Sequence, residues 1–113
     1  MFEHLLNQLF SRHWENVEQR CREAQICQLL LHEIAVVGKE FESMEYDRLL
    51  EPAEALSFSR VVDGIELSFS AEAYNIKKNG DICFCIDARA TPNRTRWQPS
   101  YQFFKRKDQT VYH

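Results

Sequence analysis

Glycine and proline are scarce in this chain, three of each among 113 residues, which leaves little room for long flexible linkers. No internal repeat and no low-complexity tract interrupts it. Long apolar runs are missing too. The longest, Leu29-Leu30-Leu31, falls far short of the roughly 20 residues that cross a bilayer as a helix. Met1-Phe2-Glu3-His4 lacks the basic start of a secretory signal, and Asn7, Gln8 and Arg12 break up the leucines behind it. These absences predict a cytoplasmic protein whose thiols stay reduced. Cys21, Cys27, Cys83 and Cys85 are therefore expected to form no disulfide.

What is present suits one folded domain spanning residues 1–113. The hydrophobic fraction is 44% and the charged fraction 27%, ordinary values for a globular protein. Eight Phe, four Tyr and two Trp are more aromatic residues than a disordered chain carries.

The stretch Val61 to Ala90 defines the architecture. Ile65, Leu67, Phe69, Ala71 and Ala73 alternate with Glu66, Ser68, Ser70 and Glu72, which gives a strand one apolar and one wet face. Ile82, Phe84, Ile86 and Ala88 repeat the pattern after Lys77-Lys78-Asn79-Gly80, where Asn and Gly tolerate the positive φ of a tight reversal. Asp63-Gly64 marks a second hairpin turn. Cys83 and Cys85 share the opposite side of their strand, which is then apolar on both faces and central. Strands are expected at about 56–62, 65–76, 81–90 and 96–106, with Pro99 marking either the start of the last near Ser100 or an edge with a bulge, and Val111-Tyr112 as a short fifth.

Before the strands, Phe2, Leu5, Leu6, Leu9, His13, Val17, Cys21 and Ala24 form one helical stripe, widened by Phe10 and Trp14. Ile26, Leu29, Leu30, Ile34 and Val37 also suit a helix but stand out of phase with that stripe. Either the chain breaks near Ala24–Ile26 or one long helix is covered on several sides. The spacing favours a second helix at 25–37 ended by Gly38, and the β-branched Ile34, Val36 and Val37 also permit a strand. Ser43 is the expected N-cap of a short helix Met44–Leu50 that Pro52 ends, with Phe41, Met44, Leu49 and Leu50 as its anchors. Helices followed by an antiparallel meander predict an α+β fold, with the N-terminal helices packed on one face of a four- to five-stranded sheet. This order of elements is similar to that of cystatin-like and NTF2-like folds, an analogy of architecture alone.

No motif points to catalysis. The four histidines, His4, His13, His32 and His113, make no His-x3-His pair, and the cysteines make no Cys-x2-Cys pair. Cys83 and Cys85 could offer two thiols to a metal, but zinc sites want four ligands, and buried structural thiols are the expected reading. A nucleophilic cysteine would need His13 or His32 as its base. Glu66 and Glu72 lie too far apart along one strand to act as an acid–base pair. The NTF2-like analogy implies a pocket between helix and sheet, for which His13, Tyr74, Trp97 and Tyr101 are the polar candidates. The competing reading is a core packed with aromatics. No cofactor and no metal are expected.

Charge is the remaining signal. The net charge is −3. Residues 93–113 hold Arg94, Arg96, Lys105, Arg106 and Lys107 against Asp108, interleaved with Trp97, Tyr101, Phe103, Phe104 and Tyr112. Stacking platforms for a nucleic acid look like this. The acidic whole chain argues against such a ligand, and edge protection of a strand is the favoured reading. Glu40, Glu42, Glu45, Asp47, Glu51 and Glu54 form an acidic connector facing only Lys39 and Arg48. Segregated charge of this kind steers association and sets register with a partner. The expectation is a non-enzymatic protein-binding module, of the inhibitor, immunity or regulatory type, that presents those six carboxylates to a basic protein. Imitation of DNA phosphates belongs to the same class. A helix–sheet ligand pocket, binding or catalytic, is the alternative.

Overall fold

The computed structural model describes residues 2–91 and 98–113, with side chains from residue 16 onward except Asn75. Its elements are α1 (Phe2–Glu42), α2 (Tyr46–Leu49), α3 (Ala53–Leu56), β1 (Phe58–Val62), β2 (Ile65–Ile76), β3 (Ile82–Thr91), β4 (Ser100–Lys105) and β5 (Val111–Tyr112). The strands form one antiparallel sheet in the order β1-β2-β3-β4-β5. The protein is an α+β fold, a long N-terminal helix on an open five-stranded meander. It measures 73 × 23 × 18 Å. The long dimension comes from α1, whose 41 residues run for roughly 60 Å at 1.5 Å per residue.

The sheet follows the alternation in the sequence. Phe69 stands opposite Ala88, and Phe84 opposite Ala73. Asp63 and Gly64 both take positive φ (51° and 77°), the geometry of a two-residue hairpin. Gly80, at φ 91°, donates its N–H to the Lys77 carbonyl. The register slips between Ala73 and Asn75, a bulge that ends the strict alternation of β2. As expected, β3 is the middle strand and Cys83 is buried on its outer side.

Several expectations are corrected. There is no second helix at 25–37 and no break near Ala24, because α1 continues unbroken to Glu42. Its C-terminal half packs across β3 and β4, through the buried Ile26, Leu30, Ile34, Val37 and Phe41. The N-terminal stripe does not reach the sheet where side chains are described: Val17 is half-buried, and Cys21 and Ala24 are exposed. Ser43 caps no helix N-terminus. Its hydroxyl donates to the Glu40 carbonyl at the C-terminal end of α1. Glu45 is the N-cap of a shorter α2, without a side-chain cap bond. Pro52 opens α3 instead of ending a helix, so β1 begins at Phe58, after the expected Leu56. The fourth strand starts at Ser100 directly after Pro99, and expected positions 96 and 97 lie outside the described residues. Of the four anchors, Phe41 and Leu49 are buried and Met44 is partly so, but Leu50 is 42% exposed.

The core is an aromatic line between helix and sheet. Phe41 meets Phe84 at 5.1 Å and Phe84 meets Phe103 at 5.4 Å, while Phe58 stacks on Phe69 at 5.0 Å. Burying each such side chain contributes roughly 1.5–3 kcal/mol, enough to hold down the half of α1 that carries Phe41.

Gly38, expected as a terminator, sits inside α1 for a different reason. A Cβ there would lie 2.6 Å from the Tyr101 ring, so the glycine is the space into which β4 packs. Helix propensity alone would make Gly38→Ala more stable by about 1 kcal/mol. Overpacking against the ring costs about 1–3 kcal/mol and should prevail, giving a net loss in urea unfolding. In a Tyr101→Ala background the same change should become neutral or stabilising.

Candidate functional site

The acidic connector begins at the C-terminal end of α1, where the last carbonyls lack helical partners. Lys105, only 3% exposed, supplies what they lack. Its ammonium donates to the Glu42 carbonyl at 2.9 Å and to the Met44 carbonyl. A cation at this end also suits the negative pole of the helix. Burial lowers the Lys105 pKa, while the charges of Glu45 and Glu42 oppose that shift.

Glu42 is the most enclosed of the six carboxylates, its side chain 13% exposed. It accepts from the Tyr101 hydroxyl at 2.6 Å, lies 3.3 Å from Lys39 Nζ, and lies 2.8 Å from His113 Nε2. Burial pushes its pKa up, but the Tyr101 hydrogen bond, Lys39 and His113 together pull it below the usual carboxylate value. Glu42 is thus an internal tie between helix, β4 and the C-terminus, unsuited to a partner surface.

The other five carboxylates divide. Glu40 pairs with Arg60 at 3.6 Å, and the same guanidinium reaches Glu33 at 3.6 Å. Arg60 also lies over the Phe58 ring at 5.2 Å, so it clamps β1 to α1. Glu51 pairs with Arg48 at 3.0 Å. Glu45, Asp47 and Glu54 are exposed and join no ion pair among the described residues. Asp47 is the acidic residue in the first turn of α2, and Glu54 in that of α3.

The connector is held in place from below. Tyr46 and Leu49 of α2 and Leu56 of α3 are buried. The Tyr46 hydroxyl donates to the Gly80 carbonyl at 2.6 Å, and its backbone N–H donates to Gln109 Oε1 at 3.1 Å. These bonds join α2 to both turns at one end of the sheet. There, Lys77, Lys78 and Lys107 surround a hollow of about 670 Å³ whose other walls include Asp47, Leu50 and Ile76. The sequence marked Lys107 within a basic C-terminal segment, but not this convergence. In a meander, alternate turns share an end of the sheet, and that topology is the signal that unites Lys77 and Lys78 with Lys107.

The pocket alternative is not assembled from its expected residues. Tyr74 and Tyr101 project from opposite faces of the sheet: Tyr74 is 56% exposed, whereas Tyr101 packs on Gly38 beneath α1. The side chains of His13 and Trp97 lie outside the described residues. On the outer face, Ser70, Glu72, Tyr74, Cys85, Asp87 and Gln102 line a groove of about 550 Å³. Burial and the neighbouring Asp87 carboxylate raise the Cys85 pKa, which keeps the thiol protonated and poorly nucleophilic. Its nearest donor is Gln102 Nε2, 3.7 Å from Sγ, and not a histidine. His32 is exposed on α1. Among the described residues no group of three His, Cys, Asp or Glu side chains is placed to hold a metal ion, and no helix is long and apolar enough to cross a membrane.

Comparison with protein-family models, with curated proteins and with solved structures finds no match for this chain.

Two tests address this end of α1. Lys105→Met leaves two carbonyls without their donor and should cost about 1–3 kcal/mol in chemical denaturation. Glu42 has a folded-state pKa below its unfolded one, so its ionised form stabilises the fold above about pH 4.3. That contribution is lost as pH falls through the folded value. Glu42→Gln should therefore lower stability at pH 7 and flatten the acid limb of the stability–pH curve. An acid limb as steep as that of the wild type would show that Glu42 is not the group responsible.

Proposed function

We propose that this protein is a small non-enzymatic protein-binding module, of the inhibitor, immunity or regulatory type. It presents Glu45, Asp47 and Glu54 to a basic patch on a protein partner. The observation that carries this reading is the display of these three carboxylates. They are exposed, outside the intramolecular pairs that engage Glu40, Glu42 and Glu51, and mounted on short helices whose Tyr46, Leu49 and Leu56 are buried. A surface held this rigidly loses little conformational freedom when a partner docks.

The neighbouring Lys77, Lys78 and Lys107 refine the reading. A partner at this end meets both signs of charge, basic patches facing α2 and α3 and acidic ones facing the two turns. Alternating signs fix register more than they add affinity. Single exposed ion pairs contribute only about 0.2–1 kcal/mol, so the effect belongs mainly in the association rate.

The partner would be captured with untagged protein and identified by mass spectrometry, then used for kinetics. The triple variant Glu45→Gln, Asp47→Asn, Glu54→Gln should associate more slowly at low salt while unfolding like the wild type. The difference should shrink at high salt, as screening shortens below about 8 Å. Association unchanged at both salt concentrations would reduce these carboxylates to a solvated connector.

A further inference from the structure

The hollow of about 670 Å³ at the α2 end of the sheet has two unlike walls. Lys77 and Lys78 from the β2–β3 turn and Lys107 from the β4–β5 turn make one wall. Leu50 and Ile76 make the other, and they are 42% and 63% exposed. The carboxylates of the two turns do not neutralise the lysines, because each is engaged elsewhere. Asp81 is buried, accepts from the Tyr112 hydroxyl and lies 3.8 Å from Arg106 Nε. Asp108 Oδ1 accepts from the Thr110 N–H at 3.0 Å. Among the described residues Lys77, Lys78 and Lys107 join no ion pair, and Asp47 is the one carboxylate on the walls.

The cationic wall is held in shape. The Lys107 side chain lies across Gly80, so closely that a Cβ there would come within 2.7 Å of its Cε. Lys77 Nζ stands 4.4 Å from the centroid of the Phe104 ring, a cation–π contact. Both turns are closed by backbone bonds, from the Lys77 N–H to the Asp81 carbonyl at 2.7 Å and from the Gln109 N–H to the Arg106 carbonyl at 2.9 Å. Gln109 has a φ of 73°, which glycine or asparagine adopts more easily. Its side chain supplies what those residues could not. Oε1 accepts the Tyr46 N–H, and that orientation leaves Nε2 as a further donor on the wall of the hollow.

From these walls we infer that the hollow binds a small soluble phosphate monoester. The phosphate sits on the three lysines, and an apolar or aromatic group covers Leu50 and Ile76. The volume suits a ligand of this class, whose sites span roughly 300–1,000 Å³. Three ammonium groups against the Asp47 carboxylate leave a surplus of two positive charges. A phosphate monoester, with a charge of about −1.5 to −2 at pH 7, balances that surplus better than a carboxylate does. Compactness follows from the rim. Asp47, with the exposed Glu45 beside it, repels a long polyanion or an anionic bilayer laid across this end, whereas a small anion sits inside. Asp47 is also placed to accept from a ligand hydroxyl. The inference goes beyond the protein-binding reading and does not rest on it.

Phenyl phosphate and inorganic phosphate are the probes, followed through the backbone amide resonances of the full chain. Phenyl phosphate should move the Gly80, Lys107 and Gln109 resonances saturably. Inorganic phosphate should move the same amides but bind roughly tenfold more weakly, since it leaves the apolar wall uncovered. Lys77→Gln, Lys78→Gln and Lys107→Gln should each weaken both probes about two- to fivefold, the scale of one exposed ion pair. Ile76→Thr should weaken phenyl phosphate alone. Phosphatidylglycerol vesicles should sediment no more of the protein than phosphatidylcholine vesicles do. Shifts that do not saturate, or that spare these amides, would overturn the site. Equal affinity for the two probes, indifferent to Ile76→Thr, would reduce it to an adventitious ion only. Selective retention by phosphatidylglycerol would overturn the soluble ligand in favour of a membrane surface. No protein partner enters these measurements, so their failure would leave the reading of the α2–α3 carboxylates standing.

Discussion

A buried ammonium closes the C-terminal end of α1, and much of the molecule is arranged around that contact. Lys105 reaches up from β4 to the carbonyls of Glu42 and Met44, satisfying groups that the end of a helix leaves without partners. With those carbonyls occupied, the chain can turn sharply into α2. Glu42 is then delivered to Tyr101 and His113, and Tyr46 to the Gly80 carbonyl. One cation thus joins the helix to the strand, the connector and the C-terminus. Its cost is desolvation, visible in a pKa lowered by burial. Removing it would leave the helix end buried and unpaired, the more expensive state.

The sheet edges obey the same demand for satisfied backbone. β1 pairs with β2 only as far as Phe69, and beyond it α3 packs beside β2, where the Ser57 hydroxyl accepts from the Ala71 N–H at 3.1 Å. A short helix thereby covers an edge that would otherwise be open to another strand. At the far edge, Tyr112 of β5 stacks on Phe104 with centroids 5.1 Å apart, and Arg106 lies over Tyr112 at 5.1 Å. The basic and aromatic C-terminal residues that are described therefore finish a sheet.

Charge that looks segregated along the chain is partly neutralised in space. The acidic run 40–54 lies against Arg60, Lys105 and the lysines of two turns, so only part of it faces solvent alone. Coulomb attraction between segments of opposite sign lowers the energy of such neighbours, and the antiparallel meander brings the turns close enough for it to act. The surviving pattern is a mixed end, with carboxylates on two short helices beside three lysines.

The sequence by itself determined the sheet. Period-two alternation in Ile65–Ala73 and Ile82–Ala88, with Asp63-Gly64 and Asn79-Gly80 at the reversals, left one pairing that buries a single apolar face, because a one-residue slip would turn every side chain over. It also set a helical stripe over residues 2–24 and an apolar set out of phase with it over 26–37, which suited a second helix but also permitted a short strand. Only the tertiary structure decided what those phases mean. An amphipathic stripe records that something covers it, not what does, and here the sheet covers the second stripe but not Cys21 and Ala24 of the first. Gly38 carried the same ambiguity: glycine ends helices through positive φ and also admits close neighbours, and the Tyr101 ring selects the second use. The six carboxylates were legible as a group, but their separation into internal tie, clamp and free surface was not. That separation depends on Arg60, Tyr101, Lys105 and His113, basic or hydroxyl partners contributed from distant parts of the chain, and contacts so far apart in sequence leave no local pattern to read.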